Sequence, residues 1–428
     1  MEGIMSNNNK EMYALTPISK EKKQGWVPLA FVQAGICVCV PSFLEGALLV
    51  DEMNFWPAIL SGTVGYVIVV IAMTVLGFIG SDLGLASVTI TESTLGKQGA
   101  RYIAGIIFAI NLIGWFGINN GECALSFVNF MSSSFGVTIP FWASCIFWGL
   151  IMTLTAAFGM KTIEKLDYVS IPLLMLAMLI GTVMAIKLNG IGTVNDQITP
   201  TMSFIDGVAL SFDFYAVGVI TAADITRFQK SRRDTTLSTV VGVFPLGVIT
   251  LVLGALLTKI AGDYDIASVL ITVGIPVLGV IALVLSTWTT NASNAYSGAL
   301  DTVAIFNITD NRRREVTVIV GVLGTILGMS GIVGNIETFL GYLAFLVCPI
   351  GGIMFTDYFI FGRGKPENWH SRKGFYWVGV LTWVISGVIS IILNIDFIGM
   401  FIAIPVYWIL EMAARSMSNK KEQQGEQQ

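Results

Sequence analysis

The chain has 428 residues and a formal net charge of −4, with 54% hydrophobic and 12% charged residues and a mean hydropathy of +0.76. This composition excludes a soluble globular protein and indicates an integral membrane protein. The net charge says little about partners, because the positions of the charges matter more than their sum. We expect the lipid bilayer and a small molecule as partners, and no nucleic acid.

Apolar segments long enough to cross a bilayer, which takes about 20 residues per helix, recur along the whole chain. We predict twelve of them, centred in residues 26–48, 56–80, 99–130, 138–159, 166–186, 203–225, 236–260, 271–304, 316–332, 336–361, 374–393 and 397–414. The predicted fold is therefore an all-α integral membrane protein with twelve transmembrane helices.

Lysine and arginine concentrate in alternate loops between these helices. If the N-terminus is cytoplasmic, only Lys187 and Lys259 of the 24 basic residues lie outside. The positive-inside rule then supports the number of helices and places both termini in the cytoplasm, with the protein in the plasma (inner) membrane. Residues 1–25 are polar, and we expect a cytoplasmic tail there rather than a cleaved leader. Residues 415–428 are expected to form a second cytoplasmic tail, disordered towards its end.

The number and positions of the cysteines and the single histidine argue against a disulfide framework, a metal site and histidine-based catalysis. The five cysteines all fall within predicted helices, where a free thiol behaves as a small apolar group, so we expect no disulfide framework. Cys37 and Cys39 lie two residues apart, but no second pair of metal-binding type accompanies them. His370 is the only histidine and lies in a predicted loop, which argues against histidine-based catalysis. With no nucleotide-binding or Ser/His motif in a suitable context, we predict no enzyme and no cofactor.

Two predicted helices carry a candidate interruption. Pro41 lies within GICVCVPSFLEG of the first helix, and Asp213 lies within SFDFYAVGV of the sixth. With the N-terminus inside, the first helix runs outward and the sixth inward, so the interruptions correspond in two oppositely oriented halves of five helices. This pattern is typical of an inverted-repeat transporter, whose site lies between the unwound segments. Pro41 taken alone is also compatible with a simple kink.

A polar stretch occupies the eighth predicted helix. It reads STWTTNASN from Ser286 to Asn294, and only Trp288 and Ala292 in it are apolar. Unpartnered polar groups are costly in hydrocarbon, so such groups face a cavity or an ion instead of lipid. We therefore predict a functional site in this stretch.

Three short motifs stand in the third, sixth and eighth predicted helices: GWFG at Gly114–Gly117, ADITRF at Ala223–Phe228 and WTTN at Trp288–Asn291. In these motifs the chain resembles the nucleobase:cation symporter family of cytosine permeases, purine-cytosine permeases and hydantoin transporters. The similarity extends from about Trp26 to Phe361 with the same order and spacing, and the last two helices match only in hydropathy.

This resemblance implies both a fold and a function. The fold is a five-plus-five inverted repeat, with residues 26–188 and 203–361 as the two halves, discontinuous helices 1 and 6, and two further helices within residues 374–414. The implied function is the uptake of a planar heterocycle driven by a cation gradient.

A planar base offers two faces for stacking and an edge of donors and acceptors, so its pocket should combine aromatic rings with amides or carboxylates. Trp115 is the candidate for one stacking wall, and Phe214 or Tyr215 is the candidate for the other. Asn119, one helical turn beyond Trp115, and two asparagines of the eighth helix would bind the edge. The candidate substrate-binding residues are Trp115, Asn119, Phe214, Tyr215, Asn291, Asn294, Cys39, Glu122 and Asp213.

The resemblance also implies a sodium site. Sodium prefers hard oxygen ligands, which the family supplies from two adjacent hydroxyls of helix 8 and from carbonyls of the broken helix 1. Here the hydroxyls correspond to Thr289 and Thr290, and the carbonyls to those of Gly35 and Val38 and a further one near Ser286. A neutral oxygen cage binds its ion weakly, which suits a carrier that releases the ion in the cytoplasm. Threonine hydroxyls that bond only to their own helix are the alternative.

Glu45, Glu122 and Asp213 lie inside predicted helices and have no counterpart in the resemblance.

We predict a sodium-coupled importer of a nucleobase or related planar heterocycle, of the cytosine or purine type, that works by alternating access and as a monomer. The alternative is a proton-coupled symporter of a related heterocycle, such as hydroxymethylpyrimidine, allantoin or a hydantoin, that uses Asp213 or Glu122. A channel or a receptor ranks behind both.

Overall fold

The computed structural model describes residues 16–263, 269–270, 274–395 and 397–425. Within these ranges the regular structure is helical, apart from one isolated bridge between Gln24 and Gln229. The all-helical class predicted from the sequence is therefore confirmed.

The helices follow the predicted windows in order. They are α1 (Trp26–Cys37), α2 (Val40–Glu52), α3 (Phe55–Leu83), α4 (Gly96–Phe135), α5 (Phe141–Ala157), α6 (Met160–Asn189), α7 (Phe204–Asp213), α8 (Ala216–Ile220), α9 (Arg232–Ala261), α10 (Pro276–Phe306), α11 (Arg313–Met329), α12 (Ile336–Phe355), α13 (Trp377–Leu393) and α14 (Ile398–Gly425). Two windows hold a pair of helices: α1 with α2 in the first, and α7 with α8 in the sixth.

Seven helices in the described ranges are long and apolar enough to cross a membrane, and α1 with α2 makes an eighth if the pair counts as one bent span. Because α5 and α13 are apolar but shorter, the total of twelve spans stays a prediction. The last helix continues to Gly425, beyond residue 414 where the last window ends. The residues past the apolar segment include lysine, glutamate and glutamine, which favour helix, so the end of hydropathy does not mark the end of the helix.

The break in the first helix pair falls just before Pro41. Helix α1 ends at Cys37, and Cys39 is extended, with φ −135° and ψ 164°. The axes on either side of this break differ by 50°. Pro41 lies in the first turn of α2, where its missing N–H is not needed and its fixed φ suits a helix. Pro41 therefore starts the second half of the pair instead of kinking a continuous helix.

The break in the sixth window is milder. Helix α7 ends at Asp213, and Phe214 and Tyr215 keep backbone angles close to the helical region. The Tyr215 N–H donates to the carbonyl oxygen of Phe212 at 2.9 Å, which is the tighter spacing of a 3₁₀ turn. The helix loosens again after α8, at Thr221. Asp213 thus ends a helix, as predicted, but the chain turns without an extended residue.

The helices pack in two groups. In the first group α9 contacts α1, α2 and α3, and α3 contacts α7. Helices α4, α5, α10 and α11 form a second group, in which every helix contacts the others. The groups meet where α1 packs against α10, and α6 contacts both of these helices. The first helix break therefore lies against the helix that carries the polar stretch.

Glycines bring α9 close to the first helix pair. A Cβ added at Gly254 would lie 2.1 Å from the carbonyl oxygen of Phe43, and one at Gly242 would lie 2.5 Å from that of Ala30. Gly46 of α2 meets the backbone of α9 in the same way. Small residues permit such close contact between helices in a membrane, where packing replaces the hydrophobic driving force. The first helix pair is thereby held against α9.

Candidate functional site

A cavity of about 70 Å³ lies between the two interrupted helix pairs. Both interruptions line it, together with parts of α3, α4, α9 and α10. The lining residues are Gln33, Ile36, Cys37, Cys39, Pro41, Ser42, Met73, Leu112, Trp115, Phe214, Tyr215, Val217, Gly218, Thr221, Ile225, Val243, Thr290, Ser293, Asn294 and Ser297. A mainly apolar wall with a few polar groups is typical of a small-molecule site.

Two aromatic rings line the cavity next to each other. The rings of Trp115 on α4 and Phe214 at the sixth-window break have centroids 6.2 Å apart and planes inclined by 49°. Directly contacting aromatic pairs have centroids about 4.5–7 Å apart. The rings predicted to stack on a substrate therefore both line the cavity and touch each other in this conformation.

Tyr215 lines the same cavity but is tied to the first helix pair. The Tyr215 hydroxyl oxygen lies 3.3 Å from Ser42 Oγ of α2. Cys39 Sγ also lies 3.3 Å from Ser42 Oγ. The Tyr215 ring packs against Tyr66, with centroids 5.2 Å apart. Tyr215 and Cys39, both predicted to bind substrate, thus connect the two helix breaks beside the cavity. Phe214, and not Tyr215, faces Trp115.

The two asparagines of α10 have different surroundings. Asn294 lines the cavity, and its Nδ2 lies 3.4 Å from Asn291 Oδ1. Asn291 is turned to neighbouring helices, with Nδ2 3.0 Å from the Phe116 carbonyl oxygen and 3.3 Å from Met152 Sδ. It does not line the cavity. Both asparagines were predicted to bind the substrate edge, but Asn291 lies behind the wall because its amide is bound across helices.

Asn119 and its neighbour Asn120 also lie behind the wall. Asn119 Nδ2 donates to the Trp115 carbonyl oxygen of its own helix at 2.9 Å, whereas Asn120 Nδ2 donates to the Cys145 carbonyl oxygen of α5 at 3.1 Å. Neither side chain lines the cavity. Asn119 Oδ1 and Asn120 Oδ1 are both buried without a hydrogen-bond partner among the described residues.

The three carboxylates singled out from the sequence lie outside the cavity lining. Glu122 and Asp213 are buried, with 8% and 5% of their surface exposed. Glu45 is fully buried on α2 and accepts a hydrogen bond from the Tyr66 hydroxyl at 3.1 Å. The polar groups that do line the cavity are amides, hydroxyls and thiols.

Four of the five residues predicted to bind sodium meet beside the cavity. The hydroxyls of Thr289 and Thr290 donate to the Gly35 carbonyl oxygen at 3.2 and 2.8 Å. Both also donate to the Ser286 carbonyl oxygen, at 3.0 and 3.1 Å. The hydroxyls therefore bond across helices as well as within α10. We call these two carbonyls and two hydroxyls the oxygen cluster, and its hard neutral oxygens are the donor type that an alkali cation prefers.

Val38, the fifth predicted ligand, ends α1 next to Gly35. Its N–H still donates to the Ala34 carbonyl oxygen at 2.9 Å, but its ψ of 73° is not helical. The carbonyl of Val38 is therefore turned out of the helical hydrogen-bonding direction, which is what a backbone ligand at a helix break requires.

Sequence reasoning missed several lining residues. Gln33 of α1 is fully buried in the wall, and neither atom of its amide has a hydrogen-bond partner among the described residues. Ser293 Oγ is likewise buried without one in that part of the chain. A Cβ at Gly218 would meet no atom within 4 Å. A glutamine inside an apolar window, one helical turn before the break, is the signal that could have pointed to Gln33.

Together, the helical membrane fold and the cavity between two interrupted helix pairs define a membrane transporter. The model of the family described as permease for cytosine/purines, uracil, thiamine, allantoin matches residues 17–420. The chain belongs to this family, which confirms the resemblance found in its motifs and the prediction that it is not an enzyme.

Characterised relatives are similar over most of their length. The cytosine permease of Escherichia coli strain K12 is 25% identical over 384 residues, which cover 88% of each chain. The hydantoin permease of Microbacterium maritypicum is 24% identical over 410 residues, which cover 88% of this chain and 82% of the relative.

Solved structures share the fold. A nucleobase-cation-symport-1 family transporter, in a closed conformation with bromovinylhydantoin bound, matches with a TM-score of 0.84 and 18% identity over 97% of each chain. A Na⁺-coupled sialic acid symporter matches with a TM-score of 0.67 and 11% identity, over 91% of this chain and 89% of its own. The overall transporter fold is therefore shared well beyond the family.

Proposed function

We propose that the protein imports a nucleobase or related planar heterocycle, of the cytosine or purine type, together with sodium. The observation that carries this proposal is the oxygen cluster of Gly35, Ser286, Thr289 and Thr290 beside a cavity walled by aromatic rings. The family and the relatives named for cytosine and hydantoin transport support the substrate class. The protein works as a monomer in the plasma membrane, with both termini in the cytoplasm.

Substrate binding would part the aromatic pair. Because Trp115 and Phe214 are in contact, a planar ring that stacks on Trp115 has to move the Phe214 side chain or the sixth-window break that carries it. Asn294 and Gln33 line the same cavity and offer amide donors and acceptors to the ring edge. Binding of the heterocycle is thereby coupled to movement at a helix break.

Sodium binding would act between the two helix groups. Gly35 belongs to α1, which packs against α9 of the first group, whereas Ser286, Thr289 and Thr290 belong to α10 in the other group. When sodium binds, the threonine hydroxyl hydrogens would turn away from the two carbonyl oxygens. The hydroxyl and carbonyl oxygens would then coordinate the ion instead of being hydrogen-bonded to one another. An ion held from both sides favours the conformation in which α1 and α10 are close, and this is how it biases alternating access.

Proton coupling is the second candidate and is less favoured. It requires a carboxylate that exchanges its proton with the cavity, and neither Glu122 nor Asp213 lines the cavity. The sodium proposal uses four oxygens that are already together.

Uptake and competition measurements test the substrate class. Cells that make the protein are given radiolabelled cytosine, adenine or a hydantoin, with a panel of unlabelled planar heterocycles as competitors. We expect saturable uptake of at least one compound and competition within the panel. Unsaturable flux would indicate a channel, and no uptake of any planar heterocycle by protein that reaches the membrane would contradict the proposal.

A further inference from the structure

Asp167 of α6 is a buried carboxylate that the sequence analysis did not single out. Its side chain is fully buried, and neither carboxylate oxygen has a hydrogen-bond partner in the described part of the chain. The charged group that acts on it is Glu164, which has the same sign. A buried carboxylate is costly unless a cation or hydrogen-bond donors satisfy it. Asp167 therefore needs a partner that its neighbours do not supply.

The carboxylate of Asp167 lies against the oxygen cluster. A Cβ built on Gly35 would lie 2.7 Å from Asp167 Oδ1 and 3.3 Å from Thr289 Cβ. The carboxylate oxygen and the Thr289 side chain are therefore no further apart than the sum of these two distances. Gly35, whose carbonyl accepts both threonine hydroxyls, has no side chain to separate them.

Three helices thus bring oxygens to one place. Helix α1 supplies the carbonyl of Gly35, α10 supplies two hydroxyls and a carbonyl, and α6, which packs against both helices, supplies the carboxylate. The oxygen cluster alone is neutral, whereas an ionised Asp167 would add one negative charge to it. Such a set of hard oxygens with one charge suits a monovalent alkali cation, because the ion satisfies the oxygens and neutralises the carboxylate at once.

We propose that Asp167 is the anionic member of the coupling-cation site, an inference that rests on the sodium coupling proposed above. The carboxylate attracts sodium to the oxygen cluster from the side of α6. Opposite charges at short range in a partly buried site attract far more strongly than an ion and neutral oxygens alone. Asp167 therefore sets the sodium concentration at which the transporter works.

The test compares two neutralised carboxylates of α6. Asp167→Asn keeps the shape and removes the charge. Glu164→Gln is the matched control, because Glu164 lies one turn away and is engaged with the Gln24 side chain instead of the oxygen cluster. Heterocycle uptake by proteoliposomes is measured at fixed pH while choline replaces sodium.

Asp167→Asn should raise the sodium concentration for half-maximal uptake at least tenfold, which corresponds to about 1.4 kcal/mol. Glu164→Gln should change that concentration much less, because it leaves the carboxylate of Asp167 in place. The sodium-dependent rise in the thermal unfolding midpoint of the purified protein provides a readout without transport, and it should shift to higher sodium in the Asp167 variant alone.

The outcomes separate this inference from the function on which it rests. Unchanged sodium dependence in Asp167→Asn, or a lower maximal uptake with the same half-saturating sodium, would overturn the role of Asp167 and leave sodium coupling intact. Wild-type uptake that ignores sodium would overturn both. If Asp167→Asn does not reach the membrane, Asp167→Ser, which removes the charge from a smaller side chain, is judged by the same two readouts.

Discussion

Trp115 and Phe214 both line the cavity and contact each other, but the elements that carry them make their roles unequal. Trp115 is part of the long helix α4, whereas Phe214 lies in the turn between α7 and α8. A ring on a continuous helix is held in place by the helix, while a ring at a break moves with the break. We therefore assign the fixed stacking surface to Trp115 and the movable one to Phe214.

Trp115→Ala should weaken heterocycle binding by about 5- to 150-fold, because one base–aromatic stack contributes roughly 1–3 kcal/mol. Trp115→Phe should restore most of the affinity, since it restores an aromatic face. Binding of a labelled heterocycle to the purified protein measures both. Phe135→Ala, at the exposed end of the same helix, is the control. Affinity that survives Trp115→Ala would remove this ring from the site.

The asparagines of α10 give a second prediction. Asn294→Ala should lower heterocycle affinity by up to about tenfold, because one net hydrogen bond contributes roughly 0.5–1.5 kcal/mol. Asn291→Ala should mainly lower the thermal unfolding midpoint, because it removes the hydrogen bond to the Phe116 carbonyl. The reverse result, with Asn291→Ala losing binding at an unchanged midpoint and Asn294→Ala binding normally, would contradict this division and assign the substrate contact to Asn291.

These residues also show how far the sequence could lead. The polar stretch from Ser286 to Asn294 marked the right helix, because nine residues so polar are rare at membrane depth. The sequence could not show which side chains face the cavity, because an asparagine that binds a ligand and one that binds a neighbouring helix look the same in the sequence. Only the rotation of α10 against α4 separates Asn294 from Asn291.

The two helix breaks were predictable in place but not in kind. Pro41 pointed to the first break because proline starts helices as readily as it interrupts them, and the extended residue proved to be Cys39. The sixth window has no proline or other strong helix breaker at positions 214 and 215. The break there is accordingly a tightened turn. Its position follows from packing around the cavity, which the sequence of one helix does not contain.

The contact between α9 and the first helix pair gives a prediction about stability. Gly254→Ala should destabilise the protein by about 1–3 kcal/mol, the usual cost of overpacking, because its Cβ would lie 2.1 Å from the Phe43 carbonyl oxygen. Gly192→Ala is the control, since a Cβ there meets nothing within 4 Å. Thermal unfolding in detergent measures both. A Gly254→Ala midpoint equal to that of the wild type would mean that α9 and α2 are not held in this contact.

Taken over the whole chain, hydropathy and the positions of the basic residues predicted the order of the helices, because a membrane fold has to place long apolar segments in lipid. Hydropathy and the positions of basic residues do not predict which helices contact each other. They did not predict that Asp167, in the apolar window of residues 166–186, lies beside the oxygen cluster of α1 and α10. Function at this depth depends on contacts between helices, and these appear only in three dimensions.

The arrangement of the two helix groups accounts for the role that we propose for the cation. The oxygen cluster spans the boundary between the group of α1 and the group of α10, so an ion bound there stabilises one relative position of the groups. The substrate cavity adjoins the same boundary. In the proposed mechanism, sodium and heterocycle favour the same closed arrangement, and each should raise the affinity for the other.

The central claim is that a sodium gradient drives uptake of a planar heterocycle. The most direct test uses proteoliposomes with purified protein and radiolabelled cytosine, or the heterocycle that the competition panel selects. An inward sodium gradient should concentrate the label inside above its external level, and replacing sodium by choline at the same pH should abolish that accumulation. Accumulation that is unchanged in choline would contradict the claim.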